Sequence, residues 1–407
     1  MIDIQLIRDN PKIVQESISR RGLDIDINQI LSLDKKRREL LTQLEQQRSQ
    51  LKLSGKPTPA ELAKLQKLKK IQEKIQEEYN VLDSEYHDIL TQIPNLLADN
   101  TPDGGEENNK EERKWGKTEF SFTPKDHEGL NELHNLYNFE AGAKVAGAKF
   151  YFLGDKLVRL WQSIQLCAQD IIRAEGFELK SVPHLVNYEV ADGTGYMPRG
   201  EENQNYIDTE QELVMIATSE LPLTGYHKDD ILNLDKPLMY AGISTCYRLE
   251  AGTYGKFSKG LYRTHQFEKL EMYIFCKPED SSKSLQKILA LEEKICKKLE
   301  IPYRVVRIAA GDMSAPAYEK YDLESYYPVE DDYREITSCS NCTDYQARNL
   351  NIRYRKEDGK LDFVHTLNGT AAVSSRMLIS VLENHQQKDG TVKLPKVLEK
   401  YYGSRTL

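Results

Sequence analysis

The chain lacks long apolar runs. No stretch of about 18 or more apolar residues occurs anywhere in its 407 residues, so no membrane-spanning helix is expected. Its start, MIDIQLIRDNP, carries Asp3, Arg8 and Asp9 where a signal peptide needs apolar residues. Nor is it the Arg/Ser-rich, acid-poor start of a transit peptide, so the expected compartment is the cytoplasm. Cysteine is scarce. Six thiols without paired spacing argue against a disulfide framework and for reduced side chains. Cys339 and Cys342 form a C-x-x-C, but a zinc site needs about four ligands and no second pair exists, so these thiols read as packing residues. An excess of positive charge is also missing. Lys and Arg number 56 against 64 Asp and Glu, a net charge of −8, which excludes a wholly basic nucleic-acid binder but not a local basic surface. There is no internal repeat and no convincing Ser/His/Asp or Cys/His triad, so no covalent nucleophile is expected.

What is there divides into two parts. From about residue 27, Ile30, Leu33, Arg37, Leu40, Leu44, Gln47 and Leu51 follow the 3-4 alternation of a coiled-coil seam. The stretch Leu53–Pro59 interrupts it, and Thr58, Pro59 and Glu61 make a helix-start signal of cap, N-terminal proline and capping-box partner. A second seam runs through Leu65, Leu68, Gln72, Ile75, Tyr79, Leu82, Tyr86, Ile89 and Ile93 to Pro94. Helices of this length span roughly 40–50 Å, and a short turn between them predicts an antiparallel hairpin arm over residues 27–94. From Lys35 to Lys74 there are 12 Lys/Arg and 4 Asp/Glu, a strongly basic patch in an acidic chain. Lys35, Lys36, Arg38, Arg48, Lys52, Lys56, Lys64, Lys67, Lys69 and Lys70 are candidate phosphate contacts. A stiff basic arm suits salt-dependent, shape-reading contact with double-stranded RNA, against the plainer reading of a solvated coil surface. The polar, Pro- and Gly-containing stretch 98–118 reads as a linker between an N-terminal domain (1–97) and a larger domain (119–407).

In the larger domain an amphipathic helix is expected from Asp155 to about Ala174, ended by Gly176 and followed by a strand through Phe177 to Pro183. The stretches MYAGISTCYRLEAG and YRTHQFEKLEMYIF read as two antiparallel strands joined by a basic, Gly-containing loop. Period-2 alternation then places Arg248 with Glu250 on one strand. It places Arg263, His265, Phe267, Lys269 and Glu271 together on the other. Buried charges are costly unless paired or liganded. Such a face suits a ligand with phosphates, a planar base and an amine or hydroxyl, and the alternative is an exposed face of internal Arg–Glu pairs. Glu335 and Ser338, three apart near an irregular segment, offer hard oxygens for Mg²⁺. Val364–Gln386 reads as a strand, an Asn368–Gly369 turn and a small-residue helix whose start is an anion site beside Arg376.

These stretches resemble the three signature motifs of the class II aminoacyl-tRNA synthetases: GFELKSVP, ending in Pro183, is similar to motif 1; YRLEAG…GLYRTHQFEKLE to motif 2; LNGTAAVSSRMLISVLEN to motif 3. ATSELPLT, SCSNCTDYQAR and the hairpin arm point within that class to the seryl-tRNA synthetase family, over essentially the whole chain. The resemblance implies an α+β protein, with an N-terminal two-helix coiled-coil arm followed by a class II domain on a mostly antiparallel sheet flanked by helices. It implies activation of L-serine with ATP and transfer to the 3′-terminal adenosine of tRNA(Ser), with tRNA(Sec) where present. ATP would meet Arg248, Leu249, Glu250, Arg263, Phe267, Glu335, Ile336, Thr337, Ser338 and Arg376, with Arg248 and Arg376 the catalytic pair. Serine would meet Thr218, Ser219, Glu220, Arg248, Glu271, Asn368 and Thr370. Mg²⁺ would lie at Glu335 and Ser338. The arm would lie along the long variable arm of the tRNA, the loop Thr253–Gly260 would meet the acceptor end, and motif 1 would form a homodimer surface. His265 is expected to be structural rather than a general base.

Departures are confined. Phe257, Ser258 and Lys259 stand where an acidic residue and Thr-Arg are common in the family, Asn349 where a second arginine is common, and Ser219 where alanine is common. The last should be mild, since neighbours on a strand face opposite ways. A binding or regulatory paralogue should have lost Arg248, Glu335 or Arg376, and a ligase acting on a carrier protein should lack the basic arm. All of these are present.

Overall fold

The computed structural model describes residues 1–50, 59–197, 205–250 and 260–407, and of residues 50 and 59–65 only the backbone. It divides into two compact units, Met1–Leu96 and Leu97–Leu407. Among the described residues no helix is long and apolar enough to cross a membrane.

Among the described residues, the regular structure of the first unit is all helix. Asp3 caps α1 (Ile4–Asp9) by accepting from the Gln5 amide, and Pro11 opens α2 (Pro11–Arg20). The long helices α3 (Ile27–Gln50) and α4 (Pro59–Leu90) form the arm. Arg37 pairs with Asp83 and Arg48 reaches Gln76, so the two run antiparallel. Seam residues Ile30, Leu33, Leu44 and Tyr86 are buried. Arg37, at a seam position, sits over the rings of Tyr79 and Tyr86, 5.6 and 5.0 Å from their centroids. Lys35, Lys36, Arg38, Arg48, Lys67, Lys69 and Lys70 are exposed, while Lys52, Lys56 and the side chain of Lys64 lie outside the described residues. The second seam was expected to run to Ile93. The helix ends at Leu90, because Pro94 disfavours helical backbone before it, yet Ile93 stays fully buried in the small core with Ile7, Ile18 and Ile30.

The second unit is built on one eight-stranded sheet. Its strands are β1 (Lys110–Trp115), β2 (Glu178–Ser181), β3 (Leu238–Tyr247), β4 (Gln266–Cys276), β5 (Tyr303–Arg307), β6 (Glu319–Tyr327), β7 (Asp332–Thr343) and β8 (His365–Val373), in the order β1-β5-β6-β7-β8-β4-β3-β2. Every neighbouring pair is antiparallel except β2 with β3. The helices α5 (Asp155–Ala174), α7 (Ser281–Lys298) and α8 (Ser374–His385) pack on it, and the short α6 (Glu220–Gly225) lies near β3 and β4. The apolar faces of α5, α7 and α8 enclose the main core, with Leu160, Ile164, Ile288, Leu289, Met377 and Leu378.

Four expectations need correction. The stretch 98–118 is not all linker, since Lys110–Trp115 is the edge strand β1. Its charges are matched from outside: Arg113 to Glu293 at 2.6 Å and Glu112 to Arg307 at 3.0 Å, with Trp115 stacked on Tyr303. Asn368–Gly369 is not a turn. It lies in the middle of β8, where a Cβ on Gly369 would fall 2.2 Å from Ile288 Cγ2, so the glycine admits α7. Glu335 and Ser338 sit within the strand β7, so the irregularity near them is a slip in its pairing with β6 and not a break in the strand. Ser219 is not on a strand: it precedes α6, fully buried, with its hydroxyl donating to Gly242 O at 3.1 Å.

Candidate active site

One pocket opens over β4, β7 and β8. Arg248, Glu250, Phe267, Lys269, Glu335, Ile336, Ser338, Thr370 and Arg376 line it, together with Tyr262, Thr264, Val373 and Ser375. Residues three apart on a regular strand face opposite ways. Glu335 and Ser338 share the pocket because the β6–β7 pairing slips at Ile336: Thr337 stands opposite Leu323 but Glu335 opposite Glu324.

Arg248 and Glu250 lie just past the end of β3 and Arg263 and His265 just before β4, so the expected strand alternation does not relate them. The crossing is pinned differently. Arg248 N donates to His265 O at 3.0 Å, and His265 Nδ1, as the protonated nitrogen, donates back to Arg248 O at 3.0 Å. That locks His265 into the backbone. Glu250 adopts a positive φ of 47° and accepts from Arg263 Nη1 at 3.1 Å. The Arg248 guanidinium stands 5.3 Å over the Phe267 ring, a cation–π contact.

Arg376, in the first turn of α8, pairs with Glu335 at 3.0 Å and lies 5.1 Å over the Tyr262 ring. Tyr262 OH donates to Glu335 O at 3.3 Å. Burial alone would raise the Glu335 carboxyl, but Arg376 and Lys320 outweigh it and hold the group well below the usual carboxylate range. The same ion pair pushes the Arg376 guanidinium up against the opposing effect of burial. Glu335 is therefore a carboxylate at any working pH.

A second, drier cluster adjoins this pocket through Thr370, whose hydroxyl donates to Glu271 at 3.2 Å. Lys269 Nζ pairs with Glu271 at 2.6 Å. Glu220, 4% exposed, accepts from Tyr196 OH at 2.8 Å and from Gln346 Nε2 at 2.7 Å. Burial pushes its carboxyl up to about 7, and the charge on Glu271 pushes the same way. Thr218 is fully buried and its hydroxyl accepts from Glu220 N at 3.3 Å. Asn368 lies on the same strand face as Thr370, with its amide 3.8 Å from Cys342 Sγ.

Guanidinium groups around a ring, a carboxylate beside them and a buried cluster of carboxylates and hydroxyls next door suit a nucleotide and an amino acid held side by side. Residues 1–97 match the seryl-tRNA synthetase N-terminal domain, and residues 202–385 the tRNA synthetase class II core domain (G, H, P, S and T). The serine–tRNA ligase of Dictyoglomus turgidum is 48% identical over 99% of this chain and 98% of that protein, and the one from Treponema denticola 42% identical over 99% of each. This chain belongs to the seryl-tRNA synthetase family. The crystal structure of seryl-tRNA synthetase from Pyrococcus horikoshii complexed with ATP matches at a TM-score of 0.91 and 36% identity, covering 100% of this chain and 99% of that one. The cytoplasmic enzyme from Naegleria fowleri in complex with AMP matches at 0.85 and 31%, covering 100% and 98%.

Within this family fold, three expected nucleotide contacts stand apart from the pocket. Thr337 turns to the other face of β7 and donates to Glu292 on α7 at 3.1 Å, Leu249 is not among the lining residues, and Arg263 reaches the pocket only through its bond to Glu250. The loop Thr253–Gly260, with Phe257, Ser258 and Lys259, lies outside the described residues up to Gly260. Four residues were given no role by the sequence: Lys269, Tyr262, Tyr196 and Gln346. Lys269 had a signal, since alternation puts it on one face with Phe267 and Glu271. Tyr262, Tyr196 and Gln346 had none, because their partners lie far away in the chain. The six cysteines are all free and buried, as packing residues. Among the described residues no cluster of three or more His, Cys, Asp or Glu could hold a metal.

Proposed function

We propose that the protein activates L-serine with ATP and transfers the seryl group to the 3′-terminal adenosine of tRNA(Ser), and of tRNA(Sec) where one is present. The observation that carries this is the Thr370–Glu271 link between a pocket holding Arg248 and Arg376 and a buried cluster holding Glu271 and Glu220, which would form the amino-acid chamber. Two reactants bound across that link would be side by side.

In the first step a serine carboxylate oxygen forms a bond to the α-phosphorus of ATP while the bond to the bridging α–β oxygen breaks, and pyrophosphate leaves. Arg248 faces the α-phosphate, Arg376 and Arg263 the outer phosphates, and Phe267 the adenine ring, with Glu250 near its edge. Preorganised guanidinium groups stabilise the charge that grows on the phosphates, so the chemistry is positioning and electrostatics. Glu335 and Ser338 would hold Mg²⁺. Their hard oxygens fit the ion, and Glu335 is kept ionised by its cationic neighbours. When bound there, the ion would screen phosphate charge. In the second step a ribose hydroxyl of the terminal adenosine attacks the seryl carbonyl and AMP leaves. Glu220, Glu271, Thr218, Ser219, Asn368 and Thr370 surround the serine amine and hydroxyl. A chamber that hydrogen-bonds the hydroxyl rejects alanine strongly, while threonine must be refused by size.

The exposed lysines and arginines of α3 and α4 support a phosphate-backbone contact of the arm with the long variable arm of the tRNA. Association of two copies is proposed on the family resemblance of motif 1.

ATP–pyrophosphate exchange with each of the twenty amino acids, with Mg²⁺ and without tRNA, tests the reading. Exchange with serine alone is the expected result. Exchange with another amino acid would overturn the assignment of the chamber, and no exchange at all would make the protein a binding paralogue.

A further inference from the structure

Gln346 is fully buried, and all of its side-chain hydrogen-bonding capacity is directed. Its Oε1 accepts from Thr366 Oγ1 at 2.8 Å and from Tyr273 OH at 2.9 Å. Its Nε2 donates to Glu220 Oε1 at 2.7 Å and to Thr194 O at 3.1 Å. The two oxygen acceptors at the nitrogen end leave the amide a single orientation, since a flip would set its oxygen against Thr194 O and Glu220 Oε1, while the hydroxyls at the other end would tolerate either. Tyr273 is itself held by Thr224 Oγ1 at 2.6 Å. The other oxygen of Glu220 takes the Tyr196 hydroxyl. Each carboxylate oxygen can accept two hydrogen bonds, so among the described residues one site on each remains for an incoming ammonium.

We propose that Gln346 is the positioning residue of the amino-acid chamber: its orientation-locked amide, with Tyr196 opposite, holds the Glu220 carboxylate fixed as an acceptor for the ammonium of serine. This rests on the reading of the chamber given above. Gln346 acts through Glu220 and needs no contact with the substrate.

The charge state of Glu220 is part of the device. Burial and Glu271 favour the neutral acid, while the donors Gln346 and Tyr196 and the cation Lys269 favour the carboxylate. Among the described residues, Tyr273 and Cys342 are the other titratable groups facing it, both pushed up by burial and so neutral, and Arg248 bears on the adjoining Tyr196. Removing the Gln346 donor tips this balance toward the neutral acid. The acid limb of kcat/KM for serine must then move to higher pH.

The test is serine-dependent exchange from about pH 5.5 to 8.5 for the wild type, Gln346→Leu and Tyr196→Phe, with melting curves as a check of folding. Gln346→Leu should raise the serine KM at neutral pH about tenfold or more, as expected for a lost donor to a charged group. The ATP KM should stay unchanged and the acid limb should move up. Tyr196→Phe should move the limb the same way, and it carries the test if the leucine variant does not fold. An unmoved acid limb in the folded variants, or equal losses toward serine and ATP, would overturn the proposal. A wild type that exchanges with an amino acid other than serine would overturn the underlying reading instead.

Discussion

Arg376 and Glu335 show how one ion pair serves two ends. Their 3.0 Å contact keeps the carboxylate charged and fixes the guanidinium over Tyr262. Arg376→Ala should cut pyrophosphate exchange by roughly 100-fold or more, the scale of one removed charge-stabilising donor. The pair also sets a stability dependence on pH. Glu335 is depressed from its ordinary 4.5, so its contribution is present above that value and is lost as pH falls through its lower folded pKa. Urea midpoints of the wild type and Glu335→Gln, compared across acid pH, should differ above about 4.5 and converge below it. A constant difference would mean that the pair is not the source. Glu220 runs the other way. Its carboxyl is raised to about 7, so its contribution is present at low pH and is lost as pH rises through that range.

At the scale of elements, the site depends on two departures from regular strand structure and one close approach. The slip at Ile336 turns Glu335 and Ser338 to one side, and the shift in the β4–β8 pairing falls at Leu270/Glu271, beside the chamber. The close approach is Gly369 beneath α7. An added methyl would meet Ile288 Cγ2 at 2.2 Å and Cys339 Cβ at 2.9 Å. Gly369→Ala should destabilise the protein by about 1–3 kcal/mol, the range for overpacking a filled core, read as a lower urea midpoint. Because Asn368 and Thr370 flank it, the serine KM should rise as well. An unchanged midpoint would show that α7 yields without cost.

The molecule as a whole pairs a unit whose helical arm carries the basic stretch Lys35–Lys74 with a mixed unit that holds the reactive pocket. That arrangement predicts a division of labour. Charge reversal of Lys67, Lys69 and Lys70 to Glu should weaken tRNA binding by about tenfold or more at low salt, with the difference shrinking as salt rises. Serine-dependent exchange without tRNA should not change. Filter binding and exchange on the same preparation decide it, and loss of both together would overturn the division.

Local pattern was enough for much of this protein. The seams of α3 and α4, the span Asp155–Ala174 of α5 and the β3–β4 pair are read from neighbours a few positions away, while Arg248, Phe267, Glu335 and Arg376 were marked by the resemblance of their motifs. Heptads, caps and strand alternation are short-range physics. What tertiary structure alone decided is non-local. The charged stretch 110–115 becomes a strand only because Tyr303–Arg307 offers it an edge and matching charges nearly two hundred residues on. Asn368–Gly369 stays extended because α7 must pass close by. Gln346 meets Glu220 across 126 positions of chain. No periodicity records such meetings, because a hydrogen bond between distant residues leaves no spacing in the sequence. It exists only once the chain has closed around it.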